Sequence, residues 1–222
     1  MQQITIASGL SAKVPGTELS CIECDVQIIG KNEQLWNEIL LKIEELSAQL
    51  AVEQISKLPA VATSRRAYKA CGKDPARYRL SAEALLRRVV KRNEIYQVNN
   101  VVDLLNLVSI STGFSIGGYD ASKIEGDVEF GIGQKDELYE GIGRGELNIE
   151  FMPVFRDEAG AFGTPTSDSV RTRVSESTVR FLTIIIDYGT NGLLLATTEM
   201  AKKLLEKYAN ATNFELRTIK MN

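Results

Sequence analysis

The chain contains no histidine. That absence removes Ser-His-Asp and Cys-His nucleophilic catalysis and every histidine-bound metal site. Acid–base chemistry here falls to carboxylates, lysine, tyrosine, cysteine or the substrate itself. Cysteine is scarce, with three residues in 222: Cys21, Cys24 and Cys71. An odd, low count makes no disulfide framework. The C-x-x-C of Cys21 and Cys24 lacks the four ligands that zinc takes, so buried free thiols are expected and no metal or cofactor is expected. Long apolar runs are also missing. The best of them, such as residues 182–186, fall far short of the roughly 20 residues of a membrane span. The opening MQQITIASGLSAKVPG has neither a basic cluster nor an apolar core. No secretory signal is expected, and the expected location is cytoplasmic with no membrane partner.

What is present supports a folded core. Hydrophobic residues make up 44% and charged residues 25%, a balance that excludes wholesale disorder in a chain long enough to fold without staples. The charge is unevenly placed. Residues 65–92 hold ten basic side chains (Arg65, Arg66, Lys69, Lys73, Arg77, Arg79, Arg87, Arg88, Lys91 and Arg92) against Asp74 and Glu83, a local net of +8 within a chain of −3 overall. The remainder is then at −11. A basic segment on an acidic protein is a phosphate-binding footprint, with Arg65, Arg66, Arg77, Arg79, Arg87 and Arg88 its candidates. The alternative is a solvated helical face paired with acidic segments elsewhere.

Periodicity divides the chain into helices followed by strands, which predicts an α+β fold. The spacing predicts a strand over 24–29 and an Asn32-capped helix with Trp36 as a core anchor. A run of short helices follows, started by Ser64, by Asp74-Pro75, by Ser81 and by Asn99 or Asn100. Gly72 and Gly113 are placed as stops. Strands are expected over 128–132, 147–155, 181–187 and 193–196, then a helix over 198–210 and a strand over 214–220. The glycines at 131–133 and 141–145 read as hairpin turns.

Two polar stretches are candidate sites. In the first, Asn99, Asn100 and Asp103 open a helix and Gly117, Gly118 and Asp120 follow its end. They read either as caps or as one wall of a pocket, where glycines admit a ligand to the backbone. In the second, GTPTSDSVRT over 163–172, Asp168 is placed to hold Arg171, or Ser169 to hydrogen-bond a ligand. Thr166 and Arg171 are candidates for binding substrate, and Asp168, Ser169 and Glu176 are the catalytic candidates. Asp168 or Glu176 is placed to orient a water. The alternative is an Asp/Ser turn with a surface ion pair. No nucleotide fingerprint is present, because no helix follows the glycine clusters.

The wording of residues 96–120, YQVNNVVDLLNLVSISTGFSIGGYD, resembles the B3/B4 editing domain of the phenylalanyl-tRNA synthetase beta subunit. The resemblance rests on N-N-V-V-D-x-x-N and the following G-G-Y-D, and extends over about 65–188. Arg77-Tyr78-Arg79-Leu80-Ser81, Asp136-Glu137 and the run from Val174 to Thr178 resemble further family segments. It implies one α+β domain over 1–222, a strand sandwich with flanking helices. In that reading 1–60 form N-terminal strands and a long helix, and 61–222 the editing-like core. It also implies binding of the tRNA acceptor end with its amino acid moiety, and hydrolysis of a misattached amino acid. Where the family carries histidine this chain has Gly117, and the 164–169 loop lacks the family's glutamate; the pattern is closer to free-standing relatives of the domain. The expectation is therefore an editing-like domain that hydrolyses misacylated tRNA in trans and does not aminoacylate. The alternatives are a non-catalytic RNA-binding module and an amino-acid-binding protein without RNA.

Overall fold

The computed structural model describes residues 1–190 and 192–220. The chain opens with β1 (Ile4–Ile6), α1 (Ser8–Lys13) and β2 (Thr17–Asp25). Five helices follow: α2 (Glu33–Gln49), α3 (Val52–Ile55), α4 (Pro59–Cys71), α5 (Ser81–Val90) and α6 (Asn100–Thr112). Next come β3 (Ile116–Asp120), β4 (Val128–Ile132), β5 (Glu140–Gly141), β6 (Gly145–Glu146), β7 (Pro153–Asp157), β8 (Gly160–Gly163) and β9 (Arg180–Tyr188). The chain then closes with α7 (Leu193–Ala209) and β10 (Thr212–Lys220).

Two four-stranded sheets result, ordered β1-β4-β7-β8 and β10-β2-β9-β3, with β5 and β6 as a separate hairpin. Among the described residues only β1 with β4 is parallel; every other pair is antiparallel. The period-two rule decides the layers. On β9, Leu182, Ile184, Ile186 and Tyr188 join Leu19, Phe130, Phe155 and Phe162 in the core between the sheets. Its alternate residues Phe181 and Ile185 join the core beneath α2, α5, α6 and α7. The strand is buried on both faces, which is why it reads as a continuous apolar run. A smaller cluster of Tyr68, Leu80, Tyr139, Met152 and Val154 covers the outer face of the first sheet. The fold is α+β, a strand sandwich with flanking helices, and among the described residues no helix is long and apolar enough to cross a membrane.

Local signals hold where capping chemistry is unambiguous. Asn32 and Asn99 cap α2 and α6 by accepting from Leu35 N and Val102 N. Gly72 and Gly113 end α4 and α6 at φ 102° and 81°, a region open to glycine. Other expectations are corrected. The strand expected over 24–29 is the tail of β2 and ends at Asp25. Ser64 does not start a helix, because Pro59 occupies the first turn of α4; the Ser64 hydroxyl instead donates to Ala60 O. Asp74-Pro75 makes a turn, with Asp74 Oδ1 accepting from Ala76 N, and Leu80 rather than Ser81 precedes α5.

The 147–155 strand shrinks to Pro153–Asp157, and the apolar run 193–196 begins α7. A short apolar run suits either element, and here only Leu194 of its three leucines is buried. Gly117-Gly118 is not a turn but lies in β3, paired with Ile184 and Thr183; Gly131 likewise lies in β4. Trp36 is half-buried at the margin of the core. Cys21 and Cys24 point to opposite sides of β2, and burial pushes both thiols up to about 12.

Candidate functional site

The start of α6 is tied into the core. Asn100 is fully buried; its Nδ2 donates to Gln27 O and Tyr208 O at 2.8 Å each, and its Oδ1 accepts from Ile29 N at 2.9 Å. Asp103 Oδ1 accepts from Val98 N at 2.9 Å, and burial raises its carboxyl to about 6 against that bond. Asn100 thus joins the segment before α2 to the last turn of α7, and the structure does not bring its side chain to β3 as one pocket wall. Asp120 is also engaged, accepting from Ser122 N, Ser122 Oγ and Thr178 Oγ1. Burial opposes its charge, but these bonds and Lys123 hold its carboxyl below the usual value.

The second stretch does meet β3. The hydroxyl of Tyr119 lies between Gly117 and Gly163, and a Cβ at either position would overlap it. These glycines therefore make room for a side chain of the protein itself. The Tyr119 ring is 1% exposed and packs edge-on to Phe162 at 5.0 Å between centroids. Asp168 bridges back to Gly163, and its Oδ2 accepts from Gly118 N at 3.3 Å. The residue keeps part of its surface in solvent, yet its carboxylate turns inward toward Tyr119 and Tyr139. Burial raises that carboxyl to about 7, opposed by the Tyr119 hydroxyl and Gly118 N–H.

The loop that carries Asp168 is braced from both sides. Thr164 Oγ1 accepts from Thr166 N and Ser167 N. Tyr139 Oη donates to Ser167 O at 2.6 Å, and Thr166 Oγ1 lies 2.9 Å from Tyr68 Oη. Ser169 Oγ accepts from Arg171 N at 3.2 Å. Arg171 does not pair with Asp168. Its guanidinium clamps Asp157 at 2.7 and 3.1 Å and also donates to Lys123 O and Gly160 O. Glu176 is exposed and lies outside this bonded loop. Sequence reading missed Tyr68, Tyr119 and Tyr139. Gly117 and Tyr119, two residues apart on one strand face, were a legible sign of a side chain leaning over a glycine.

The basic segment divides. Arg65 and Arg66 are neighbours on α4 and so point about 100° apart. Arg65 turns to Glu83, whereas Arg66 lines a separate cleft of about 400 Å³ with Lys13 and Tyr188. Arg79 and Arg87 join Arg65 around Glu83, Arg88 donates to Glu94 O, and Arg77 lies over the Tyr78 ring. Lys73 is buried and donates to Asn148 O and Glu150 O, so it is lost to any surface role. This face adjoins the Asp168 loop through Ser81 N, which donates to Pro165 O at 2.8 Å.

Among curated proteins none matches this chain. Among solved structures, it is similar to an N-terminal fragment of the phenylalanyl-tRNA synthetase beta-subunit from Pyrococcus horikoshii, with 13% identity and a TM-score of 0.47. That match covers 98% of this chain and 50% of the other, so the chain spans half of that structure's length. The B3/4 domain pattern matches residues 63–206, a stretch that takes in most of α4, all of α5 and α6, both sites above and most of α7. With well over half of its length matched, the chain belongs to the B3/4 domain family.

Proposed function

We propose that the whole chain, 1–222, is one B3/4 domain that binds the aminoacyl end of a tRNA and hydrolyses misattached amino acids in trans. The observation that carries this reading is the direct junction of the basic α4–α5 face with the Asp168 loop, through Tyr68 with Thr166 and Ser81 with Pro165. Phosphates would lie on the arginines and the ester beside the loop. Asp168, near neutrality in pKa, would accept a proton from a water whose oxygen attacks the ester carbonyl carbon. The carbonyl–ribose bond then breaks, the ribose oxygen leaves with a proton, and a free amino acid and deacylated tRNA result. No histidine base is required.

A second reading, RNA binding without turnover, is favoured by Tyr119, whose hydroxyl fills the gap that Gly117 and Gly163 leave. Preformed aminoacyl-tRNAs covering all amino acids, incubated with the protein, separate the two. Release of at least one amino acid above the blank supports hydrolysis. Binding of the panel with no release supports the second reading. Amino-acid-dependent thermal stabilisation without any tRNA binding overturns both.

A further inference from the structure

This inference deepens the preceding reading and rests on its RNA-binding half. Glu83 is 1% exposed and sits among three guanidinium groups. Its Oε2 accepts from Arg65 Nη1 at 2.7 Å and its Oε1 from Arg87 Nε at 3.0 Å, while Arg79 Nε lies 4.0 Å from Oε1. A carboxylate taken out of water needs a partner, and one arginine would provide it. Three surround this one, which leaves a local excess of two positive charges. Among the described residues no other carboxylate lies within ion-pair distance of any of the three.

The arginines also retain donors. A guanidinium has five N–H groups in a planar fork. Arg65 spends Nη1 on Glu83 and Pro75 O, and Arg87 spends Nε. Among the described residues the Nη groups of Arg79 and Arg87 and the Nη2 of Arg65 have no acceptor. The three side chains are 23%, 46% and 27% exposed in the order Arg65, Arg79, Arg87, so each keeps part of its surface in solvent. Arg79, Glu83 and Arg87 follow at four-residue spacing, and Arg65 approaches from α4.

We infer that Glu83 is a positioning residue that holds Arg65, Arg79 and Arg87 as a seat for one phosphate group of a nucleic-acid strand. Bidentate donation from oriented forks is the recognition mode that phosphate oxygens favour. A fixed fork loses less entropy on binding than a free one. The neighbouring Asp168 loop makes an RNA acceptor arm the strand of choice.

The test turns on a sign. If the arginines act only as diffuse charge, Glu83→Gln removes a negative charge and tightens RNA binding. If Glu83 orients them, the same change weakens binding by about tenfold despite the added positive charge. Arg79→Lys keeps the charge but removes the fork, and binding weakens by about fivefold. Deacylated tRNA is the probe, with the dissociation constant read by fluorescence anisotropy at two salt concentrations below each variant's melting temperature. Inorganic phosphate is expected to displace tRNA from the wild type and less effectively from Arg79→Lys.

Unchanged or tighter binding in Glu83→Gln overturns the seat. If Glu83→Gln does not fold, Arg79→Lys decides alone, and unchanged binding there overturns it. A wild type that does not bind tRNA overturns it too. Because the probe is deacylated, absence of hydrolysis leaves a positive result standing. Turnover with unchanged KM in both variants removes the seat and leaves hydrolysis intact.

Discussion

Asp103, near the start of α6, and Asp168, in the loop after β8, are both aspartates whose carboxyls burial raises, to about 6 and about 7. Their surroundings differ. Asp103 is 2% exposed, bonds the backbone of Val98 and stands one turn from Asn100, which ties three separate chain segments together. Asp168 lies on a loop braced by tyrosines, keeps part of its surface in solvent and adjoins the arginine face. A raised carboxyl is thus no mark of a site by itself. Asp103 is bonded within the core, whereas Asp168 keeps part of its residue surface in solvent while its carboxylate faces inward.

The sharpest way to break this contrast is Asn100→Ala. It would leave Ile29 N, Gln27 O and Tyr208 O without their partner, each buried loss costing about 1–3 kcal/mol. A destabilisation of roughly 3 kcal/mol or more is expected in urea unfolding, with tRNA affinity unchanged wherever the variant remains folded. Weakened affinity at full stability would put Asn100 back among binding residues.

Asp168→Asn comes next. Its amide oxygen still accepts from Gly118 N, so stability changes little, while hydrolysis falls by about a hundredfold or more if the carboxylate is the base. A base acts unprotonated. The wild-type rate should therefore climb through pH 7 and level off above it, and the variant should lose that rise. A flat wild-type profile would remove Asp168 from the chemistry.

The smallest effect belongs to Asp103→Asn. The folded-state value of Asp103 is raised from 3.8 to about 6, so folding favours its protonated form. Its contribution is favourable below pH 4 and is lost as pH rises through 6. The variant should nearly match the wild type at pH 4 and exceed it by about 2 kcal/mol at pH 7, measured as the difference between paired melting curves. A constant difference across that range would mean that Asp103 stays charged throughout.

Legibility followed the range of each interaction. Asn32, Asn99, Gly72 and Gly113 were readable because a cap or a stop involves only a few consecutive residues. The 193–196 run misled because alternation and helical periodicity cannot be told apart over four apolar residues. Gly117-Gly118 misled for another reason. Two glycines suggest a turn, but here pairing with β9 and the lean of Tyr119 over Gly117 demand small residues within a strand. Arg171 was assigned to the nearest carboxylate in sequence, whereas Asp157, 14 positions away, meets it across the fold.

The sequence by itself determined the class of fold, the family segment, the caps of two long helices and a chemistry without histidine. All of these depend on composition or on neighbours along the chain. Only the tertiary structure decided that Asn100 is a structural tie, that Tyr119 occupies the glycine gap, and that three arginines converge on Glu83. Each joins residues from separate elements, and their positions follow from how two sheets and a helical layer bury their apolar faces together.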